Sequence, residues 1–254
     1  MALKRVDYDD RQHATYAEGR RMPGEALGRW MGRFAAHLPA ARPLTVVDLG
    51  CGVGRLTPAL AETFGGPVWG VEPSEKMRAV ALATAAHPSV GYLAGEMAAI
   101  PLPDAGADAV LMFLSLHHVP DRAAGAREIR RVLKPGGRLL VRSPFRERMG
   151  GNWWYRFFPR AEAIEREMFP TLAETTALFA AVGLNALALE QVVEVYAADA
   201  AEAVAKLKLR AISTFEHMSE AEIEEGFTAL DAALAAGLDD LRPTTGRSDL
   251  LVLG

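Results

Sequence analysis

The sequence predicts an α/β protein built on a doubly wound, mostly parallel sheet of seven strands with helices on both faces. Three features of the 254 residues predict it. Short apolar runs have the length of buried strands, helical patterns separate successive runs, and glycine or proline stands where one pattern gives way to the next. Right-handed crossovers between parallel strands place the helices on both faces of the sheet.

Each predicted strand is a short apolar run closed by glycine, proline or polar residues. The first run ends in a glycine-rich turn, and the second follows the glycine pair Gly65 and Gly66. The last two runs come after long helical stretches. The seven predicted strands cover residues 44–49, 68–72, 90–93, 109–113, 138–141, 187–196 and 249–253.

The predicted helices begin at residues that cap helices well. Thr171 and Glu174 have the spacing of a capping box, and the helix they open ends at Gly183. Apolar residues spaced three and four apart predict helix over residues 7–38 and again after Ser219. The remaining predicted helices lie at 54–64, at 74–86 with Ser74 as cap, after Asp121 and after Asp199.

Composition excludes several classes of protein. The net charge of −4 is a poor match for sequence-independent nucleic-acid binding, and no basic module is appended. A single cysteine excludes an internal disulfide and a cysteine zinc cluster. No apolar run of membrane-spanning length occurs, and the first ten residues do not resemble a signal peptide. We therefore expect a cytoplasmic protein without a membrane span, acting without nucleic acid.

The turn after the first strand is rich in glycine, with Gly50, Gly52 and Gly54 at alternate positions. Glycines let the backbone turn tightly and let a ligand approach without a side-chain clash. The dinucleotide fingerprint requires a further glycine three residues after the second, and Arg55 stands there. A pyrophosphate-binding turn, and with it an NAD-linked oxidoreductase, is therefore disfavoured.

A carboxylate, Glu72, ends the second predicted strand. Ligands of open α/β sheets bind at the carboxyl ends of the strands. A carboxylate can accept hydrogen bonds from both hydroxyls of a ribose, since it has two oxygens. The alternative is a surface carboxylate near the start of a helix.

Five short motifs follow one another along the chain, at residues 48–54, 71–74, 95–103, 116–121 and 131–137. In this order they resemble the motifs of class I S-adenosylmethionine-dependent methyltransferases. The likeness is strongest to the branch that contains the ubiquinone/menaquinone C-methyltransferases, and it extends over residues 44–143. It implies a Rossmann-like sheet and S-adenosylmethionine as cofactor, with S-adenosylhomocysteine as product.

The resemblance also implies which residues bind the cofactor. The glycine turn would lie under its methionine part, Asp48 would orient the turn, and Glu72 would hold the ribose. Glu96 would bind the adenine amino group, although many members have Asp and Ala where this chain has Glu96 and Met97. The full expected set is Tyr16, Arg20, Asp48, Gly50, Cys51, Gly52, Gly54, Glu72, Pro73, Glu96, Met97, Phe113 and Leu114.

Some of these roles have structural alternatives. Cys51 is expected to fill space in the turn rather than to act as a nucleophile. Tyr16 and Arg20 share a helix face, and similar proteins use such a pair to close over the cofactor, with the arginine on its carboxylate. A solvated helix face is the alternative. Tyr8 is a further candidate for the lining of the site.

His117 is the expected catalytic residue. In the family this histidine pair lies beside the reactive methyl group, and an imidazole can remove a proton near neutral pH. The alternative is that His117 only lines the pocket and contacts substrate, while His118 packs against the following helix. No cluster of carboxylates indicates a catalytic metal, so none is expected.

Aromatic residues follow the fifth predicted strand, on the side where an acceptor would bind. Trp153, Trp154, Tyr155 and Phe158 are therefore expected to cover an apolar acceptor, and the alternative is a helical lid packed on the core.

The expected organisation is an N-terminal helical cap, a cofactor-binding core and a substrate-side region of helical lids that completes the sheet. A helical insertion near residues 199–237 forms a second lid wall or a dimer surface, in a monomer or a homodimer. The corresponding ranges are 1–40, 41–143 and 144–254.

The expected function is methyl transfer from S-adenosylmethionine to a small molecule, such as a secondary metabolite or a quinone-like compound, at an oxygen, nitrogen or carbon atom. The alternative is a protein of the same fold that binds the cofactor without methylating, as a cyclase-like catalyst or an assembly partner.

Overall fold

The computed structural model describes residue 4, residues 6–237 and residues 244–254. The seven predicted strands are present, most of them longer than the apolar runs indicated. They are β1 (Leu44–Leu49), β2 (Gly65–Glu72), β3 (Val90–Ala94), β4 (Ala107–Phe113), β5 (Leu133–Ser143), β6 (Ala186–Val195) and β7 (Thr245–Leu253).

Helices surround the sheet. Five of them begin at residues that the sequence predicts as helix starts: Ser74, Asp121 and Asp199 each accept a backbone N–H, and Thr171 and Ser219 form capping boxes with Glu174 and Glu222. The described helices are α1 (His13–Gly19), α2 (Gly24–Ala36), α3 (Thr57–Phe64), α4 (Glu75–Thr84), α5 (Arg122–Val132), α6 (Ala161–Met168), α7 (Leu172–Ala180), α8 (Ala200–Lys208) and α9 (Glu220–Ala235).

The strands form one sheet in the order β3-β2-β1-β4-β5-β7-β6. The five strands from β1 to β5 pair in parallel, while β7 is antiparallel to both of its neighbours, β5 and β6. This confirms the doubly wound, mostly parallel sheet. The chain winds outward from β1 in both directions, and such a switch point opens a crevice at the carboxyl ends of the strands.

Alternate residues of the central strands enter two different cores. On one face, Val46 of β1 packs with Trp30 and Phe34 of α2. On the other, Val47 packs with Ile129 of α5 and Phe179 of α7. Because both faces are covered, the central strands are apolar on both sides, as parallel strands usually are.

A third core lies outside the sheet. Trp153, Trp154 and Phe158 pack with Phe215 of the 3₁₀ turn Ser213–His217 and with residues of α8 and α9. The helix predicted after Ser219 is α9.

Two predicted helices are shorter than expected. The segment over residues 7–38 is interrupted: Tyr8–Gln12 has π-helical hydrogen bonding, α1 ends at Gly19, and α2 begins only after Pro23. Pro23 has extended backbone angles and lacks an N–H, so it starts a helix rather than continuing one. The helix expected from Gly54 begins at Thr57, because Gly54 has a left-handed backbone, with φ +74°.

Among the described residues, no helix has both the length and the hydrophobicity that crossing a bilayer requires.

Candidate functional site

The glycine turn after β1 forms one wall of a cavity at the carboxyl edge of the sheet. Gly50 and Gly52 have φ of +77° and +57°, in the left-handed region that favours glycine. A Cβ on Gly50 would lie 2.5 Å from the Cβ of Ser115, so no side chain fits there. On Gly52 it would lie 3.3 Å from the Met77 Cε atom. The bare backbone of the turn is thus exposed to the cavity.

Glu72 ends β2 beside this turn and is buried. Its Oε2 atom accepts the Gly52 N–H at 3.0 Å, and its Oε1 atom accepts the Ser74 N–H at 3.0 Å. Burial raises the pKa of Glu72, and these two hydrogen bonds act in the opposite direction. Each oxygen keeps a lone pair, so the carboxylate can still accept two hydroxyl groups.

The cavity has a volume of about 240 Å³. Its walls come from the ends of β1, β2 and β4, from the loop after β3, and from the N-terminal segment. This is the crevice that the strand order opens. The lining residues are Val6, Tyr8, Tyr16, Leu49, Gly50, Gly52, Glu72, Pro73, Met77, Glu96, Met97, Ala98, Met112, Phe113, Leu114, Ser115, His118, Val119, Pro120 and Asp121.

Asp48 lies beneath the glycine turn, and it is not among the lining residues. Its Oδ2 atom accepts the Thr57 hydroxyl at 2.8 Å, which ties the end of β1 to the start of α3. Burial raises the pKa of Asp48 to about 6, against the effects of the Thr57 hydrogen bond and the Arg55 charge. The turn-orienting role expected of Asp48 stays a prediction. Cys51 is buried beside it, and burial raises the pKa of its thiol.

The loop after β3 forms the side where the resemblance places adenine. Glu96 and Met97 both line the cavity, and Met97 is buried against Gly125 of α5. A Cβ on Gly125 would lie 2.5 Å from Met97 Cγ, so the small residue of α5 leaves room for the methionine. Pro73 lines the cavity next to Glu72.

Phe113 and Leu114, at the end of β4, also line the cavity. Leu114 has φ +61°, which is rare for a residue with a side chain, and its N–H donates to the Arg142 carbonyl at 2.9 Å. Backbone strain of this kind is concentrated at functional sites. The Ser115 hydroxyl donates to the Leu49 carbonyl at 2.7 Å and joins this loop to the glycine turn.

The rings of His117 and His118 lie in contact, with centroids 3.8 Å apart, but only one of the two lines the cavity. His118 lines the cavity, whereas His117 is absent from the lining and packs on Phe169, with ring centroids 4.3 Å apart. The Nδ1 atom of His117 is buried without a hydrogen-bond partner. Burial, together with the charges of His118 and nearby arginines, holds the pKa of His117 well below its usual range. The residue expected to be catalytic is therefore not part of the cavity lining, and its lowered pKa favours the neutral imidazole.

The N-terminal segment crosses the cavity. The Tyr8 hydroxyl is 2.7 Å from His118 Nε2, and Asp9 Oδ1 accepts the Ser74 hydroxyl at 2.5 Å. Tyr16 lines the cavity, while Arg20 does not. The cofactor-binding roles expected of Tyr16 and Arg20 stay predictions.

The aromatic residues after β5 do not reach this cavity. Trp153, Trp154, Tyr155 and Phe158, expected to bind substrate, are absent from its lining and belong to the third core. Trp153 donates to the Tyr196 hydroxyl at 2.5 Å, and Tyr155 donates to Glu165 at 2.6 Å. Their positions match the packing alternative, because large aromatic rings bury most area when they pack on one another.

Several lining residues were not expected from the sequence, among them His118, Met77 and Asp121. His118 follows His117 in a 3₁₀ turn, where successive side chains point about 120° apart. A pair of adjacent histidines carries no local signal that tells which one faces the cavity.

Comparisons with known proteins agree with this geometry. Residues 47–141 match the family model described as "Methyltransferase domain". This range begins in β1, ends in β5 and contains most of the cavity lining.

Two curated relatives show the same domain. The chain is 32% identical over 129 residues to a ubiquinone/menaquinone biosynthesis C-methyltransferase of Caulobacter sp. This match covers 47% of this chain and 51% of that protein. It is 36% identical over 121 residues to the 27-O-demethylrifamycin SV methyltransferase of Amycolatopsis mediterranei. This match covers 46% of this chain and 44% of that protein. The chain thus spans about half the length of the curated relatives it matches.

A solved structure extends the likeness in fold over nearly the whole chain. The putative methyltransferase from an antibiotic biosynthesis pathway of Anabaena variabilis has a TM-score of 0.73 at 22% identity, covering 92% of this chain and 99% of that one. At this identity the likeness concerns the fold.

The cofactor that the family implies is S-adenosylmethionine, and the site fits it. Gly50 has no room for a Cβ, so the bare backbone of the turn allows a ligand to approach closely. Each Glu72 oxygen accepts one backbone N–H and can still accept a ribose hydroxyl. Residues 47–141 thus match a methyltransferase domain model, and over this part the chain is similar to proteins named as methyltransferases.

Proposed function

We propose that this protein transfers the methyl group of S-adenosylmethionine to a small-molecule acceptor by direct displacement. The observation that carries the proposal is the pairing of the bare Gly50–Gly52 turn with the buried Glu72 carboxylate, which accepts the Gly52 N–H, in the wall of one cavity. The methyltransferase names of the relatives support it. The acceptor's nucleophilic atom would form a bond to the methyl carbon as the carbon–sulfur bond breaks, and S-adenosylhomocysteine would leave.

When bound, the cofactor supplies a methyl group activated by the sulfonium. We propose that Glu72 accepts the ribose hydroxyls, that the Glu96–Met97 loop borders the adenine, and that Phe113 and Leu114 border the methionine part. The protein's main contribution is then to position the reactants, which can lower a barrier by about 7–11 kcal/mol at best. The burial of Leu49, Met112 and Phe113 keeps this end of the cavity apolar.

Where the acceptor must lose a proton, we propose His118 rather than His117 as the group that takes it. His118 lines the cavity and is hydrogen-bonded to Tyr8, whereas His117 is absent from the lining and has a lowered pKa. A general base must lie within hydrogen-bond reach of the proton it removes. The acceptor itself is proposed to be a quinone-like compound or a secondary metabolite, after the printed names of the relatives.

We also propose that α1 and the helical region that contains the third core cover the acceptor side of the cavity. The contact between α1 and this region is tight: a Cβ on Gly19 would lie 2.6 Å from the Ala211 Cβ. The N-terminal cap expected from the sequence would then act together with the residues after β5.

Two measurements test the proposal. Isothermal titration should give saturable binding of S-adenosylhomocysteine, and incubation with methyl-labelled S-adenosylmethionine and a metabolite extract should give a labelled small molecule. No binding at millimolar cofactor would refute the whole proposal. Cofactor binding without label transfer would instead favour the alternative, a cofactor-binding protein of this fold that does not methylate.

A further inference from the structure

The outermost strand of the sheet, β6, has an unpaired edge. It pairs with β7 on one side, and no other described strand lies on its other side. The Tyr196 N–H donates to the Thr244 carbonyl at 3.0 Å, so the backbone of Tyr196 faces the β7 side. In an antiparallel pair, successive residues alternate between bonding to the neighbour and pointing away from it. The backbone groups that point toward the unpaired edge therefore belong to Leu189, Gln191, Val193 and Val195.

The side chains of these four residues form a row, the edge row, on one face of β6. Leu251, the direct partner of Leu189 in β7, is buried in the core with Phe179 of α7. Opposed residues share a face, yet α7 does not bury the edge row. Leu189, Val193 and Val195 are 38%, 49% and 37% exposed. The core that covers this face of the sheet therefore ends at β7.

Strand edges are usually protected by short strands, lysine, proline or inward-pointing charges. The strand at the other end of the sheet, β3, has only five residues. β6 has ten residues, with neither lysine nor proline. Its two carboxylates lie on the α2 side instead: Glu190 Oε1 is 2.9 Å from His37 Nε2, and Glu194 accepts the Trp30 Nε1–H at 2.6 Å. The edge row is thus left uncharged and open to another strand.

The edge row is complementary to itself in an antiparallel arrangement. When Gln191 lies on a twofold axis, it faces Gln191 of a second copy, and their two amides can hydrogen-bond to each other. Leu189 then faces Val193 of the second copy, and Val193 faces its Leu189. Cross-strand pairs of this apolar kind stabilise a sheet. All the outward backbone groups of these residues meet their counterparts in this register.

The charges of β6 select the same register. With the axis at Gln191, Glu190 faces Val192 of the second copy, and Glu194 faces Ala188. A shift of two residues is the smallest that keeps the outward backbone groups opposed. In one direction it places Glu190 opposite Glu194, and in the other it places Glu190 opposite its own counterpart. Like charges directly opposite each other destabilise a strand pair, so the register centred on Gln191 is favoured.

We propose that two copies of this chain pair through β6 about a twofold axis at Gln191 and form a homodimer with one continuous sheet. The interface uses the same surface on both copies, so it closes and leaves no β6 edge unpaired. Burial of the edge row removes apolar surface from water, while the backbone hydrogen bonds set the direction of pairing. No residue of β6 lines the cavity, so this inference is independent of the proposed function.

Sedimentation equilibrium of the full chain tests the dimer. The expected mass is about 55 kDa, twice the chain mass of 27.4 kDa. The mass of a single chain at concentrations up to about 200 µM would overturn the proposal. A mass that keeps rising beyond two chains would overturn it as well, since this would indicate open-ended association, for example of β6 with β3.

A lysine in the edge row tests the surface. Val193→Lys should weaken association by about tenfold or more, because its charge would lie against Leu189 of the second copy. Leu82→Lys is the control, at a leucine of α4 that is 61% exposed. It should associate as the parent does. Circular dichroism and the Tm check that both variants fold. Parent-like association of a folded Val193→Lys would contradict the proposal, and if this variant does not fold, cysteine variants decide.

Cysteine variants test the register. The opposed Cα atoms of a hydrogen-bonded antiparallel pair are about 5.5 Å apart, within the span of a disulfide, and the native Cys51 is buried. Diamide, which accepts one hydrogen from each of two thiols, should therefore link Gln191→Cys into a covalent dimer. Val195→Cys, at a comparably exposed position, should crosslink at least about tenfold more slowly, because its counterpart would lie about 27 Å away along the strand. Equal crosslinking rates on a non-reducing gel would overturn the register and with it the proposed interface.

Discussion

Tyr8 Oη lies 2.7 Å from His118 Nε2, and this hydrogen bond joins residues 110 positions apart across the mouth of the cavity. The two rings meet edge to face, with centroids 5.2 Å apart. Both residues line the cavity, and burial raises the pKa of Tyr8 well above its ordinary value. Asp9 holds the same segment to the start of α4 through Ser74 and the Lys76 N–H. The N-terminal segment is thus attached to the cavity at two points.

Tyr8→Phe should loosen this segment. The ring remains but the hydrogen bond to His118 is lost, at a cost of about 1 kcal/mol. We expect faster hydrogen exchange over residues 6–12 and faster release of S-adenosylhomocysteine. Tyr92→Phe is the control, because the Tyr92 hydroxyl donates to the Ala85 carbonyl, away from the N-terminal segment. If both variants gave the same exchange rates over residues 6–12, the bond would not hold the segment.

Glu72→Gln should weaken cofactor binding. The amide keeps one acceptor oxygen but places an NH₂ group against the N–H of Gly52 or Ser74, both of which the carboxylate now accepts. We expect at least about a tenfold loss of affinity for S-adenosylhomocysteine in isothermal titration. Glu75→Gln, one turn away at the exposed start of α4, should bind as the parent does. Parent-like affinity in Glu72→Gln would remove the ribose assignment.

Asp48→Asn should change how stability depends on pH. The folded pKa of Asp48 is raised from 3.8 to about 6, so between these values the folded state holds a proton that the unfolded state has released. The free energy of unfolding therefore falls as pH rises through this window, by an order of about 3 kcal/mol from this group. Asparagine has no such titration and can still accept the Thr57 hydroxyl.

Urea unfolding of parent and Asp48→Asn at pH 4, 6 and 8 measures this difference. Relative to the parent, the variant should gain stability between pH 4 and 6 and keep that gain at pH 8. Asp104→Asn is the control, because the Asp104 carboxylate is exposed and its removal should leave the pH dependence of stability close to that of the parent. Parallel pH profiles for parent and Asp48→Asn would show that Asp48 titrates alike in the folded and unfolded states.

Trp154→Ala should destabilise the helical region and spare the cofactor site. Trp154 is buried against Phe158 and Phe215, at ring-centroid distances of 5.8 and 5.6 Å. Removing a buried tryptophan costs about 3–5 kcal/mol. We expect a lower Tm and unchanged affinity for S-adenosylhomocysteine below the transition. Leu82→Ala, at a side chain 61% exposed, should change Tm little. A parent-like Tm combined with weaker cofactor binding would place Trp154 at the cavity instead.

Local features were predictable from the sequence for a physical reason. A cap such as Thr171 with Glu174, or a turn such as Gly50 to Gly54, depends on interactions within a few residues, so its residue types record its geometry. Strand runs that are apolar on both faces indicate a sheet covered on both sides. The ordered motifs then indicated Glu72 at the strand edge, where the structure has it in the cavity wall.

Only the tertiary structure decided which side chains share a site. The turn that holds His117 and His118 could have presented either one, and the contact with Tyr8 and Phe169 determines that His118 faces the cavity. Arg55 and Arg142 contact the same phenylalanine from elements 87 residues apart, a relation no local pattern encodes. From the sequence, the aromatic residues after β5 could either line the cavity or pack in a core. In the structure they pack with α8 and α9 in the third core. Local sequence therefore determined the backbone of the site, because its turns and caps close within a few residues. The side chains around it depend on long-range packing.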